Sequence, residues 1–143
     1  MNLKKQEYTK KLRLSGLRPT IQRLDICDIL FNRENTFHFS ISDLTKEIER
    51  KIDKKISLAT VYNTVHAFKK KGYLKEITIN ENQSYFDTNT SDHHHYFDDK
   101  EKKLIDINKN EVEPIKINKK IPGKKVISIE LIVRVATDNQ NQK

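Results

Sequence analysis

The chain has 143 residues, of which 34% are charged and 35% apolar, so any core is small or is completed by a partner. The net charge of +8 is uneven: residues 1–75 hold 17 basic against 8 acidic side chains, whereas residues 76–143 hold 11 against 12. With Gly 3, Cys 1 and Trp 0 there is no collagen repeat, disulfide framework or CxxC zinc cage, no run nears the roughly 20 apolar residues of a bilayer span, and MNLKKQEYTKKL lacks the apolar stretch of a secretory leader, so a cytoplasmic protein outside the membrane is expected.

Residues 3–13 read as a weakly amphipathic, Lys-rich helix that Gly16 ends. Thr20 is placed to cap a second helix over 21–32, with Leu24, Cys27, Leu30 and Phe31 on one side at 100° per residue. Ser40 and Asp43 make an S-x-x-D capping pattern, and the helix behind it sets Ile41, Leu44, Ile48 and Ile52 on one stripe. Ser57 caps a fourth helix, SLATVYNTVHAFKKK, which Gly72 stops; Leu58, Val61, Val65 and Phe68 form its apolar stripe. The period then changes from 3.6 to 2. YLKEITIN, a turn at 80–83 and SYFDT predict a β-hairpin, which after a capped helix pair makes a winged helix-turn-helix.

The polar, His-rich TSDHHHYFDDKEKK reads as a hinge over 90–103. LIDI is a short strand, and Pro114 is placed to start a helical turn after NKNEVE. KVISIELIVRV is the clearest strand, alternating Ile127, Ile129, Leu131, Val133 and Val135 with Ser128, Glu130, Ile132 and Arg134. A dimer sheet is the simplest cover for so apolar a face. The fold class is therefore α+β: an N-terminal winged-helix DNA-binding domain over 1–89, then a small α/β dimerisation domain over 90–143 with a disordered tail from about 137.

On the fourth helix, the face opposite the apolar stripe carries Ala59, Asn63, His66 and Lys70, with Tyr62 on its flank. Small residues at the helix start, Ser57 and Thr60 among them, let the backbone approach a duplex. Asn63 suits an adenine edge, and Thr60 and Tyr62 suit thymine methyls. Lys69, Lys70 and Lys71 suit phosphate, and Arg18 in GLRPT suits a minor groove or a phosphate. A solvated Lys-rich helix has the same composition, and Lys enrichment over Arg can raise charge without a polyanionic partner. The following hairpin tips the balance toward DNA.

GLRPTIQR at 16–23, SLATVYNTV at 57–65, His38 two residues before the Ser40 cap, and the triple His at 93–95 resemble the ferric uptake regulator (Fur) family of metal-responsive repressors. The resemblance covers residues 10–135. HHHYFD with LIDI close behind is most similar to its iron response regulator (Irr) branch, whose members respond to haem. It implies a homodimer on an A/T-rich inverted repeat of double-stranded DNA.

Three adjacent His are unusual in a chain with five. In extended backbone His93 and His95 point one way and His94 the other, so H-x-H is half of a metal site for Fe, Mn or Zn, or a source of haem ligands from His93, His94 and His95. A solvated His-rich loop has the same composition. The resemblance implies that His38, Asp87, His93 and His95 form an interdomain regulatory site, with Asp87 where the family usually has Glu. It also implies a second site, for which Asp92, His94 and Glu113 are the candidates, though Ile129 or a neighbour replaces its expected His. The family's structural zinc site, built from four cysteines, is absent. Cys27 is not followed by Pro as a haem motif requires, and it reads as an inert core thiol.

No Ser/His/Asp set, paired carboxylates or Gly-rich phosphate loop argues for an enzyme. The expected function is a homodimeric transcriptional regulator of iron- or haem-responsive genes, with haem or metal at the His cluster modulating DNA binding. The alternatives are a divalent-metal-sensing repressor of the same fold, and a haem- or metal-handling protein whose winged helix binds protein.

Overall fold

The computed structural model describes residues 3–139 and falls into two compact units, Met1–Thr90 and Ser91–Lys143. Part of the tail expected from about 137, residues 140–143, lies outside the described residues.

The first unit opens with helix α1, Leu3–Leu14, and α2, Ile21–Phe31. Helix α1 has little apolar surface, yet it seats Tyr8 and Leu12 in the core, and Lys11 lies over the rings of Phe31 and Tyr73 at 5.0 and 4.3 Å. Its end is a Schellman turn: Gly16 adopts φ +77°, and Leu17 N–H reaches back to the Leu12 carbonyl at 2.9 Å. Thr20 caps α2 by accepting from Arg23 N–H at 3.3 Å.

A two-residue strand, β1 (His38–Phe39), leads into α3, Ile41–Ile52. The S-x-x-D pattern forms a full capping box, with Asp43 N–H to Ser40 Oγ and Ser40 N–H to Asp43 Oδ2 both at 3.0 Å. Helix α4, Leu58–Lys71, starts at the Ser57 cap and ends at Gly72, whose φ of +93° is closed to most side chains. Leu12, Ile26, Leu30, Leu44, Ile48, Val61, Val65 and Phe68 interlock beneath these helices, each fully buried apolar side chain contributing roughly 1.5–3 kcal/mol. One expected core residue fails: Leu58 is 63% exposed, and Thr64 is buried instead. Thr64 can be buried because its hydroxyl donates to the Thr60 carbonyl at 2.7 Å.

The wing is β2 (Lys75–Asn80) against β3 (Gln83–Asp87), antiparallel, with a bulge between Thr78 and Asn80. Strand β1 adds to the other edge of β3, giving the order β1-β3-β2. Two residues carry too little periodicity to announce a strand, so β1 was not legible in the sequence.

In the second unit, β4 (His94–Asp98) is central, with β5 (Lys103–Ile107) antiparallel on one side and β6 (Ile132–Val135) parallel on the other. The stretch 90–103, expected as a hinge, thus contains the central strand. Its return to β5 is tight, because Asp98 Oδ1 accepts from the N–H groups of Lys100 and Glu101 at 3.0 and 3.1 Å. The helical turn expected at Pro114 sits earlier, at Lys109–Glu111, closed by Asn108 N–H to Glu111 Oε1 at 3.0 Å.

The long strand expected over 125–135 is shortened to Ile132–Val135. Beta structure needs a neighbour to pair with, and β4 offers one only to these four residues. Upstream, Val126 and Ile127 are 69% and 87% exposed. No helix among the described residues is long and apolar enough to cross a membrane.

Burial pushes the Cys27 thiol up to about 12, against an opposing pull from Lys11. Burial, then the charge and hydrogen bond of Asp28, push the Tyr8 phenol up to about 12 as well. The folded state keeps both protons where the unfolded chain sheds them, from the ordinary values of 9.0 and 10.0. Their contribution to stability is complete below pH ~9 and declines as pH rises toward ~12. The denaturation midpoint should therefore fall between pH 9 and pH 11, and fall less steeply in Cys27→Ala; equal slopes would refute the assignment.

Candidate functional site

The wing sheet places a histidine and a carboxylate on one rung. His38 pairs with Asp87 across β1 and β3, and His38 Nε2 lies 3.1 Å from Asp87 Oδ2. Asp87 is fully buried, and its other oxygen accepts from Asn89 N–H at 2.8 Å. The crossing is held by Phe37 and Thr88, which exchange Phe37 N–H to Thr88 Oγ1 at 2.9 Å and Thr88 N–H to the Phe37 carbonyl at 3.2 Å. A buried carboxylate needs a cation or strong donors, and this one has an imidazole and a backbone amide.

The second unit builds another group by alternation. His93 and His95 are 7% and 3% exposed, while His94 is half-buried. The β4–β5 register sets His95 opposite Asp106. His93 Nε2 and His95 Nε2 then lie 3.2 and 3.3 Å from Asp106 Oδ1, and all three residues offer a ligand atom within 4.8 Å of the others. His93 Nδ1 meets the Ser91 carbonyl at 2.6 Å. Since a carbonyl only accepts, Nδ1 carries the proton, and Nε2 is the atom turned toward Asp106.

These spacings fit a divalent ion. Bonds of 2.0–2.1 Å in tetrahedral array put neighbouring ligand atoms about 3.3 Å apart, with a closer spacing in octahedral array. Imidazole nitrogen and carboxylate oxygen without thiolate suit Fe, Mn or Zn. Asp106 is the candidate ligand that sequence reasoning missed. Its signal was one acidic residue in the apolar strand LIDI, meaningful only once the register opposite His95 is known.

Asp92, His94 and Glu113 line one pocket of the second unit. His94 Nδ1 accepts from Leu131 N–H at 3.0 Å, which occupies the one lone pair of a neutral imidazole. Cys27 is buried and free, with a protonated thiol.

On α4, Leu58, Ala59, Tyr62, Asn63 and Lys70 are exposed, as is Arg18 ahead of α2. Ser57 and Thr60 face other duties: Ser57 Oγ accepts from Thr60 N–H at 3.1 Å and bonds to Thr60 Oγ1 at 2.8 Å, so both hydroxyls shape the helix start. Lys69, grouped with the phosphate-facing lysines, instead pairs with Glu76 of β2 at 2.6 Å. That pair contributes to holding the Glu76 carboxyl below its usual range, against the opposing effect of burial. His66 is half-buried and lies tilted against Tyr62, with ring centres 4.1 Å apart.

Comparison with known proteins bears on the family and the fold. The family model described as "Ferric uptake regulator family" matches residues 14–134. The "Peroxide operon regulator" of Bacillus subtilis is 36% identical over 101 residues, covering 71% of this chain and 68% of that protein. The "Peroxide-responsive repressor PerR" of Staphylococcus epidermidis is 31% identical over 110 residues, covering 77% and 71%. The ferric uptake regulator structure from Vibrio cholerae superposes with a TM-score of 0.68 at 20% identity, over 90% of this chain and 98% of that one, a likeness of fold. The chain belongs to the ferric uptake regulator family, whose members are transcription regulators and not enzymes.

Proposed function

We propose that this chain is a homodimeric, metal-responsive DNA-binding repressor. His38 and Asp87 of the first unit, and His93, His95 and Asp106 of the second, would be ligands for divalent metal, and the exposed face of α4 would read DNA. The observation that carries it is the pairing of imidazole Nε2 atoms with carboxylate oxygens at 3.1 to 3.3 Å in both units. Neutral imidazole and carboxylate donors without thiolate suit Fe, Mn or Zn. The ion would supply a positive centre; the chain's residues supply its shape, by the β1–β3 rung and the β4–β5 register.

The signal is metal availability, with peroxide as the second reading, favoured by the names of the two relatives. If peroxide acts, it acts at this site, because Cys27 is buried and keeps its proton. Haem and the Irr branch have less behind them. His93 and His95 turn Nε2 to Asp106, and His94 already accepts from Leu131 N–H. A site at Asp92, His94 and Glu113 would require His94 to give up that bond.

DNA contact would run through Tyr62 and Asn63 to base edges and through Lys70 and Arg18 to phosphate, with Ser57 and Thr60 shaping the approach of the helix. An A/T-rich inverted repeat is the expected target and a cytoplasmic setting the expected place. Self-association would cover the exposed stretch that includes Val126 and Ile127.

Three measurements follow. Asp106→Ala should weaken Mn(II) binding by calorimetry at least about tenfold, while Glu113→Ala should not; equal affinities would remove Asp106 from the site. Against duplexes selected from a random pool, Tyr62→Ala should cost about 1–3 kcal/mol and blur sequence preference, whereas Lys70→Ala should weaken all duplexes alike and reduce the salt slope by about 1. A Tyr62→Ala protein with unchanged preference would refute the α4 assignment. Sedimentation should give a dimer at micromolar concentration and a weaker one for Ile127→Asp; a monomeric wild type would refute the dimer.

A further inference from the structure

The two rungs joining β1 and β3 are His38 with Asp87 and Phe39 with Phe86. Side chains alternate across a strand, so the polar pair and the aromatic pair project from opposite faces of one short ladder. From the aromatic face, ring contacts continue in both directions. Phe37 stacks on Phe39 at 5.1 Å and Phe39 on Phe86 at 5.7 Å, both tilted by 26°. Phe86 and His66 on α4 meet edge to face at 5.6 Å and 84°, and His66 lies tilted against Tyr62 at 4.1 Å. Phe39 and Phe86 are 0% and 2% exposed, so neither can move without moving its neighbours, whereas Tyr62 is 51% exposed at the end of the row.

We infer that His66 is a positioning residue: through Phe86 it ties the orientation of Tyr62 to the back of the His38–Asp87 rung, so metal ligation there is felt at the reading face within the first unit. Ligation would replace the direct 3.1 Å contact of His38 Nε2 and Asp87 Oδ2 with two bonds to one ion and so fix the separation and twist of β1 against β3. Phe39 and Phe86, on the same two strands, would be fixed with them. Among the described residues, His66 is the ring that links Phe86 to Tyr62. The inference rests on the reading of His38 and Asp87 as metal ligands and of α4 as the DNA-contacting helix.

The test measures the ratio of duplex affinities with and without Mn(II) in the full-length protein, for wild type, His66→Ala and His66→Phe. By linkage the same ratio must appear as the effect of duplex on Mn(II) affinity. His66→Ala should lower the ratio at least about threefold. Its Mn(II) affinity without DNA should stay within about twofold of wild type, and His66→Phe, which restores a ring, should recover the ratio. If His66→Ala folds poorly, His66→Leu takes its place. A second readout uses 3-fluorotyrosine, with the Tyr62 fluorine signal identified by its loss in Tyr62→Phe. Zn(II) should shift that signal in wild type and not in His66→Ala.

An unchanged ratio with an unchanged Tyr62 shift would overturn the role of His66. So would a His66→Ala protein that loses Mn(II) binding itself, which would make His66 a mere support of the ligands. A wild type whose duplex affinity ignores Mn(II) would overturn the metal-responsive reading, and the inference with it.

Discussion

Much of the first unit's chemistry depends on the pairing of β1 with β3. Two residues of strand are too few to be stable alone, and the enclosing bonds between Phe37 and Thr88 extend the crossing beyond its two rungs. That crossing buries Asp87 beside His38 and closes the ring row on its other face. It also joins the segment before α3 to the strand that ends the wing, so a ligand at the rung acts on both.

The helices were legible because their signals are local. Thr20, Ser40, Ser57, Gly16 and Gly72 each act within one turn, and each cap forms with the partner its spacing requires. The winged helix followed from the order of these elements. The strands of the second unit were harder. The His run looked like a hinge because its residues are polar, yet His93 and His95 are buried and part of it is the central strand of a sheet. The run KVISIELIVRV looked like the best strand because it alternates, yet most of it has no ladder to join. Polarity misleads where histidines are buried, and alternation misleads where no neighbouring strand is in register to pair.

The site divides in the same way. His38, Asp87, His93 and His95 could be named from residue type and resemblance, while Asp106 emerged only from register. Burial on α4 separates exposed Tyr62 and Asn63 from Thr64, and hydrogen bonding assigns Ser57 and Thr60 to the helix start. The Lys69–Glu76 pair fastens the end of α4 to the wing and withdraws one lysine from the basic end of the helix. No spacing rule would have revealed it, since the partners belong to elements whose packing is tertiary.

The contact between His93 Nδ1 and the Ser91 carbonyl has a consequence for how the chain tolerates change. A ring held by a neighbour's carboxylate or hydroxyl is lost when that neighbour mutates. Here the acceptor is a peptide oxygen, which every amino acid supplies, so the tautomer of His93 is indifferent to which side chain stands at position 91. What would disturb it is a change of backbone path there, as a proline at position 92 would impose on the residue before it. The His93 ring is thus insulated from most point mutations nearby and exposed to a few, those that turn the main chain.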